Sequence, residues 1–112
     1  MRKQQKELYN ILKENESLTP FERRVYMAVS SIPFGKVRSY KWVAVRAGRP
    51  AACRAVGRAL NKNPYMGTVP CHRVIRRDGL LGGFSGGIKA KRKLLKSEGL
   101  VFHLRSGKRL TQ

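Results

Sequence analysis

The hexapeptide PCHRVI, residues 70–75, places a cysteine directly beside a histidine inside an apolar run. A free thiol has a pKa of about 8.5 and is mostly protonated at neutral pH, so a nucleophilic cysteine needs a base nearby. His72 can take the proton of Cys71 directly or through a water molecule. Glu98 lies at the edge of the apolar face of a predicted helix, where a carboxylate needs a partner, and it can hold the other imidazole nitrogen. These residues predict a Cys-His-Glu relay for nucleophilic catalysis.

An inert Cys71 is the alternative, because buried cysteines are more often small hydrophobes than nucleophiles. Residue spacing alone leaves both explanations open. A metal site is not expected, since the two cysteines and two histidines of the chain match no zinc spacing. We expect no cofactor, and no disulfide between Cys53 and Cys71 in a reducing compartment.

Two helices are predicted to begin the chain. Residues 1–18 carry apolar side chains at helical spacing among charges, which predicts a short amphipathic helix packed on the main body. Thr19, Pro20 and Glu22 have the spacing of an N-cap, a first helical residue and a capping box, so a second helix begins there. The apolar positions are Leu8, Ile11 and Leu12 in the first helix, and Phe21, Val25, Val29 and Ile32 in the second. The PFGK segment, residues 33–36, ends the second helix.

A helix-turn-helix is predicted over residues 39–64. Ser39 caps its first helix and Gly48 ends it. Pro50 opens the next helix, which Pro64 ends beyond Asn63. The apolar residues of the first of these helices are Trp42, Val43 and Val45.

Small residues leave much of the second of these helices bare, so that it can approach another backbone closely. They are Ala51, Ala52, Ala55, Gly57 and Ala59. Ordinary packing between helices explains them equally well, but Arg49, Arg54 and Arg58 around them favour the backbone of a nucleic acid.

The rest of the chain is predicted to hold a buried extended segment, a glycine-rich loop and a final helix. The loop, residues 81–87, has too much glycine for regular structure and is typical of a backbone that comes close to a ligand. A flexible linker is less favoured, because Leu81 and Phe84 would need burial. The final helix ends at Gly99, and one stripe of it holds Ile88, Lys91, Leu95 and Glu98, with Leu94 beside it.

The charge of the chain points to its class of partner. Its 112 residues suit one domain, with 25 Lys and Arg against 6 Asp and Glu and a net charge of +19. Nucleic acid is therefore the first expected partner, and a solvated basic surface is the alternative. The first residues lead into no apolar targeting segment, so we expect a cytoplasmic, nucleoid-associated monomer without membrane contact.

Four motifs in order resemble the O6-alkylguanine-DNA alkyltransferase family, the methylated-DNA-protein-cysteine methyltransferases. They are SY followed by AGRPAACRAVGRALNKNP, then PCHRVI, GGFSGG and LLKSEG. The resemblance runs from about Thr19 to about Gly99. It implies a mostly α, winged-helix-like helix-turn-helix domain with a short β element and an active-site loop. We expect residues 1–18 to form an N-terminal amphipathic helix and residues 19–112 to form the DNA-binding and catalytic domain.

The resemblance also implies a reaction, in which an alkyl group passes irreversibly from guanine O6 to a cysteine, once per protein molecule. Cys71 would accept the alkyl group, His72 would be its base through a water, and Glu98 would polarise His72. Asn63 would brace the active-site segment through hydrogen bonds. Tyr40 would donate its hydroxyl proton to a ring nitrogen of the guanine.

The remaining implied roles concern substrate and DNA. Ser85 would contact the O6 oxygen of the guanine. The backbone carbonyls of Cys71 and Val74 would accept hydrogen bonds from the exocyclic amine of the guanine, and Lys91 would lie near the pocket. Arg54 would fill the space of a flipped nucleotide while the small-residue helix is pressed into the minor groove of the duplex. That helix would bring with it Ala51, Ala52, Ala55, Gly57 and Arg58.

Several positions depart from the family pattern. Phe84 stands where many relatives have tyrosine, Gly83 where some have asparagine, Arg58 where a small residue is common and Cys53 where alanine is common. The N-terminal domain of most active relatives is not matched by this sequence. Short chains of this kind resemble the alkyltransferase-like proteins, which bind alkylated guanine without repairing it and typically lack the acceptor cysteine.

Three functions are therefore distinguished. Because Cys71 is present, a single-turnover methyltransferase is favoured over a lesion-binding module that recruits excision repair. A helix-turn-helix regulator explains neither the thiol nor the glycine loop.

Overall fold

Five α-helices and one two-stranded parallel sheet form the described part of the chain, which is residues 3–65, 68–76 and 87–100 of a computed structural model. In chain order they are α1 (Lys3–Glu14), α2 (Pro20–Ser30), β1 (Arg38–Ser39), α3 (Tyr40–Arg46), α4 (Cys53–Asn61), a 3-10 turn (Cys71–Arg73), β2 (Val74–Ile75) and α5 (Ile88–Ser97). The predicted mostly helical class with a short β element is confirmed. Within these residues no helix is long and apolar enough to cross a membrane.

The capping box predicted for α2 is present. The Thr19 hydroxyl accepts from the backbone N–H of Glu22 at 3.1 Å, and the Glu22 carboxylate accepts from the N–H of Thr19 at 2.9 Å. These two bonds satisfy N–H groups that the first turn of a helix leaves without partners. The start of α2 is therefore determined by four consecutive residues of the sequence.

The contact face of α1 differs from the predicted one at a single residue. Leu8 and Leu12 are buried in the main core, as expected, but Ile11 is 49 % exposed. Successive residues of a helix are about 100° apart around its axis, so a contact line that runs between Leu8 and Leu12 leaves Ile11 to one side. The prediction for Ile11 was wrong.

The helix-turn-helix forms from α3 and α4, with a later start of α4 than the sequence indicated. Ser39 caps α3 by accepting from the N–H of Trp42 at 3.0 Å, and Gly48 has the positive φ of 83° that favours glycine after a helix. The predicted helix start at Pro50 was wrong, because the N–H of Ala52 bonds to the carbonyl of Arg49 and closes a separate turn. Ala51 and Ala52 therefore precede α4 instead of belonging to it.

Exposure along α3 also corrects one prediction. Val43 is buried, whereas Val45 is 51 % exposed and contributes little to the core. The indole of Trp42 is half-buried, and two guanidinium groups lie near its ring, Arg46 at 4.7 Å and Arg38 at 5.6 Å from the ring centroid. Cations over its faces, not the core alone, cover this aromatic ring.

The short sheet brings distant parts of the sequence together. β1 and β2 are parallel, with Arg38 opposite Val74 and Ser39 opposite Ile75. Because Tyr40 directly follows β1 and Cys71 lies just before β2, this pairing places the start of α3 beside the 3-10 turn. The strand pairing therefore positions the residues of the candidate site relative to one another.

The final helix begins at Ile88 and ends before Gly99 as predicted, but its buried face differs at one residue. Glu98 is the C-cap residue of α5, and Gly99 follows with a positive φ of 85°. Lys91 and Leu95 are fully buried, and α5 packs against the 3-10 turn. Ile88 is exposed, so its predicted place on the buried stripe was wrong, because the first turn of α5 precedes this contact.

Candidate active site

Cys71 begins the 3-10 turn and is buried between the helix-turn-helix and α5. Its side chain belongs to the main core and is 5 % exposed. Its backbone N–H bonds to the carbonyl of Val69 at 2.8 Å, which fixes the entry of the turn. The thiol therefore occupies a defined position away from bulk water.

Burial is the strongest influence on the thiol and raises the pKa of Cys71. A hydrogen bond from the side chain of Asn63, the charge of Lys91 and backbone N–H groups act in the opposite direction without overcoming it. A buried thiol with a raised pKa is protonated at neutral pH. Chemistry at this sulfur therefore requires a group that removes its proton.

Asn63 follows the C-terminal end of α4 and holds the segment that leads to Cys71. Its Nδ2 donates to the carbonyl of Val69 at 3.2 Å, and its Oδ1 accepts from the N–H of Tyr65 at 2.8 Å. Asn63 is 7 % exposed, so its amide is shielded from competing water. It connects α4 to the segment that carries Cys71.

His72 and Glu98 are in direct contact across the boundary between the 3-10 turn and α5. His72 Nε2 lies 2.6 Å from Glu98 Oε2, and the two side chains are 14 % and 6 % exposed. Burial alone would raise the pKa of Glu98, but hydrogen bonds from Arg73, His72 and the N–H of Gly35 outweigh it and hold that pKa below its ordinary value. Glu98 is therefore an ionised acceptor, and Nε2 of His72 donates to it.

Two partners of Glu98 were missed from the sequence. Arg73 contacts it through Nε at 2.9 Å and Nη2 at 3.1 Å, and the backbone N–H of Gly35 donates to Oε1 at 3.1 Å. The only sequence signal for Arg73 was its position next to His72 in PCHRVI. In the sequence, Gly35 is part of the PFGK segment that ends α2, which gives no signal of a bond to Glu98.

Lys91 projects from α5 into the interior beneath Tyr40. Its Nζ donates to the carbonyl of Val74 at 2.6 Å and lies 5.9 Å from the centre of the Tyr40 ring. Burial lowers the pKa of Lys91 to about 8, with a smaller opposing influence from Cys71. Burial, followed by the charge of a Cys71 thiolate, raises the pKa of Tyr40. The ammonium of Lys91, the phenol of Tyr40 and the thiol of Cys71 thus lie close enough in the protein interior for Cys71 to influence the pKa of the other two.

The carbonyl of Val74 therefore has an acceptor role within the protein. A backbone carbonyl has two lone pairs, so the bond from Lys91 does not by itself use the whole acceptor capacity of Val74. The use of this carbonyl for an exocyclic amine stays a prediction.

The outer face of α4 carries small and basic residues. Arg54 and Arg58 are exposed, Ala55 and Gly57 are half-buried, and Val56 is buried in the core. A Cβ atom built on Gly57 meets no described atom within 4 Å. Since glycine inside a helix costs roughly 0.5–1 kcal/mol relative to alanine, packing among the described residues does not account for it.

Three predicted residues lie outside the described part of the chain. They are Gly83, Phe84 and Ser85. Among the described residues no group of three or more His, Cys, Asp or Glu side chains could hold a metal ion. The described site is thus formed from Cys71, His72, Glu98, Asn63, Tyr40, Lys91, Val74 and the additional Arg73.

Comparisons with known proteins agree in the region that holds this site. The family model for the 6-O-methylguanine DNA methyltransferase, DNA binding domain, matches residues 20–100. A methylated-DNA--protein-cysteine methyltransferase of Salmonella typhimurium is 51 % identical over 83 residues, which are 74 % of this chain and 48 % of the relative. The chain thus spans about half the length of the curated relatives that it matches.

Two solved structures show the same arrangement of the chain. Mycobacterium tuberculosis OGT in complex with DNA superposes with a TM-score of 0.71 at 49 % identity, covering 73 % of this chain and 50 % of that one. S. pombe Atl1, solved in complex with damaged DNA containing O6-carboxymethylguanine, superposes with a TM-score of 0.70 at 32 % identity. The Atl1 match covers 80 % of this chain and 85 % of that one.

Proposed function

The chain belongs to the 6-O-methylguanine DNA methyltransferase family, and from that premise we propose that it transfers an alkyl group from O6 of guanine in DNA to Cys71. The observation that carries the proposal is a buried thiol on the residue directly before His72, whose imidazole Nε2 lies 2.6 Å from Glu98 Oε2. A thiol whose pKa burial raises needs such a base. The direct test is to expose the protein to DNA carrying O6-methylguanine and to measure the mass of the intact protein.

The transfer balances within the residues of the site. His72 takes the thiol proton through a water, the sulfur of Cys71 forms a bond to the alkyl carbon, and the bond from that carbon to O6 breaks. The electron pair of the broken bond passes to the guanine, which receives a proton from the Tyr40 hydroxyl, and the proton held by His72 then returns through water to the Tyr40 phenolate. The ammonium of Lys91 favours the thiolate while it exists, since its charge lowers the pKa of Cys71. The products are S-alkylcysteine and guanine, so each molecule acts once.

We further propose that α4 binds the minor groove of a duplex and that the alkylated base is flipped into the site. A base inside a duplex stack cannot reach a buried thiol, and extrusion costs a few kcal/mol. The net charge of +19 supports attraction to phosphates. Gly57 has no side chain on the outer face of α4, and Arg54 and Arg58 lie on either side of it. This helix can therefore approach the floor of a narrow groove closely. The protein would act as a monomer at the DNA of the cell.

Gly57→Leu is expected to weaken duplex binding without weakening the fold. Leucine favours a helix interior more than glycine does, and the Cβ position is open, so the free energy of unfolding should not fall. The added side chain would hold α4 away from the groove, and we expect a loss of affinity of about tenfold, which corresponds to roughly 1.4 kcal/mol. Fluorescence anisotropy with a short duplex and urea denaturation measure the two effects.

Asn10→Leu is the matched control, because it puts the same side chain on an exposed position of α1. It should leave duplex affinity unchanged. Equal affinity of Gly57→Leu and the wild type would exclude close contact of α4 with DNA.

Arg54→Ala is expected to slow repair of a duplex much more than reaction with free O6-benzylguanine. In the proposed mechanism Arg54 fills the space that the flipped nucleotide leaves in the duplex, and it takes no part in the alkyl transfer. Loss of even part of the few kcal/mol that extrusion requires slows the duplex reaction by about tenfold or more. Single-turnover rates at saturating duplex, compared with rates on the free base, measure the difference.

Arg58→Ala provides the control, since it removes the same charge from the same exposed face of α4. It should lower the affinity for the duplex and the dependence of that affinity on salt. The single-turnover rate at saturating duplex should stay near that of the wild type. A similar loss on duplex and free base for Arg54→Ala would contradict the finger role.

A second candidate function is lesion binding without transfer. Its specific support is the match to Atl1, of which this chain covers 85 % and which was solved with damaged DNA containing O6-carboxymethylguanine. Retention of Cys71 in a site that can ionise it favours transfer. Binding of O6-methylguanine DNA with no change in protein mass would favour this second function.

A further inference from the structure

Arg73 is not used in the proposed transfer, yet it makes the most extensive contact with Glu98. Its Nε and Nη2 reach the two carboxylate oxygens at 2.9 and 3.1 Å, and its Nη1 donates to the carbonyl of Ile32 at 2.8 Å. The side chain is 16 % exposed. A two-nitrogen contact fixes both the distance and the plane of a carboxylate, which a single point charge cannot do.

The four donors around Glu98 occupy its whole acceptor capacity. Oε1 accepts from the N–H of Gly35 and from Arg73 Nε, while Oε2 is contacted by Arg73 Nη2 and by His72 Nε2. An ionised carboxylate offers about four lone-pair positions and donates nothing. The nitrogen of His72 that faces it must therefore carry a proton. In a neutral imidazole the other nitrogen, Nδ1, then holds the lone pair.

Without Arg73 the carboxylate would be held less firmly. Glu98 is the C-cap residue of α5, so its position is set by side-chain contacts more than by the helix. One hydrogen bond each from Gly35 and His72 would leave the carboxylate of Glu98 free to rotate. Its charge, no longer shared with a guanidinium, would also favour an imidazolium, which has no nitrogen able to accept a proton.

We propose that Arg73 is a positioning residue, which fixes the Glu98 carboxylate and so holds His72 with its proton on Nε2 and its lone pair on Nδ1. The inference rests on the proposed function only in taking His72 as the base for Cys71. Arg73 touches neither the sulfur nor the alkyl group in this scheme. It determines whether the base is available.

The wild-type protein provides the first test. Imidazole ¹⁵N chemical shifts and couplings to the ring protons distinguish the two neutral tautomers, and His103→Gln removes the signals of the only other histidine. The neutral imidazole of His72 is expected to carry its proton on Nε2 and not on Nδ1. Protonation on Nδ1 alone would overturn the proposal without any change at Arg73.

Variants at Arg73 provide the second test. In Arg73→Gln we expect His72 to show mixed tautomers or imidazolium, and alkylation of Cys71 by iodoacetamide at neutral pH to be about tenfold slower, part of the roughly 100-fold effect of a positioned base. Arg73→Lys keeps the charge but cannot span both oxygens and should restore the rate only partly. Lys93→Gln removes one positive charge from an exposed position of α5 and should resemble the wild type. Circular dichroism establishes that each variant is folded.

The outcomes separate this inference from the proposed function. Normal tautomer and thiol reactivity in folded Arg73→Gln would overturn the positioning role even if the wild type repairs DNA. A displaced tautomer and slower alkylation would support it even if the wild type transfers no methyl group. Full activity of Arg73→Lys would show that charge suffices and would also overturn the geometric role.

Discussion

After incubation with a duplex that carries one O6-methylguanine, the protein should be heavier by one methylene group, and Cys71→Ser should never gain it. The sulfur of Cys71 is the buried nucleophile beside His72 and Asn63. A serine hydroxyl ionises far less readily than a thiol, so His72 would not convert it into an effective nucleophile. Intact-protein mass spectrometry measures the gain, and fragmentation of the tryptic peptide from Asn63 to Arg73 locates it.

The internal control for this experiment is the second cysteine. Cys53 begins α4 and is half-buried, so it reports whether a thiol is methylated merely because it is near DNA. It should stay unmodified. Cys71→Ser should still bind the duplex, because the outer face of α4 is unchanged. If the wild type binds methylated DNA while the lesion and the Cys71 peptide stay unchanged, lesion binding replaces transfer as the function.

Glu98→Gln is expected to have the next largest effect, on both reactivity and stability. It replaces the carboxylate that His72 contacts with a neutral amide that has a single acceptor oxygen, and it leaves the mostly buried guanidinium of Arg73 without a counter-charge. Breaking a buried ion pair by removing one partner typically costs about 3–5 kcal/mol of unfolding free energy. Loss of an oriented base should slow alkylation of Cys71 by about 100-fold at neutral pH. Urea denaturation and the rate of iodoacetamide labelling against pH measure the two losses.

The pH dependence of stability gives an independent check on Glu98. Because the folded-state pKa of Glu98 lies below its unfolded value, its contribution is complete above the unfolded pKa and disappears as the pH falls through the folded pKa. Glu98→Gln should lack that contribution and therefore lose less stability on acidification than the wild type does.

The control is Glu16→Gln, which makes the same change at an exposed position between α1 and α2. It should alter unfolding free energy by no more than about 0.5 kcal/mol. An unchanged profile of Cys71 labelling against pH in Glu98→Gln would remove Glu98 from the relay.

Features that depend only on neighbouring residues could be predicted from the sequence. The capping box at Thr19 and Glu22, the Ser39 cap and the glycine after α5 follow from hydrogen bonds and backbone preferences within a few positions. Residue types in PCHRVI indicated a thiol with a base, and the ordered motifs indicated the family that the comparisons show. The roles of Gly83, Phe84 and Ser85 stay predictions.

The groups from distant parts of the sequence that complete the site could be identified only from the packed structure. Glu98 is separated from Arg73 by 25 positions and from Gly35 by 63, and Lys91 is separated from Val74 by 17. No local rule encodes these contacts, because they exist only when α5 packs on the 3-10 turn. The same holds for the exposure of Ile11 and Ile88, since apolar spacing defines a helix face but not where the neighbouring element ends. Arg73 belongs to the site because the packing of α5 on the 3-10 turn brings Glu98 within reach of its guanidinium.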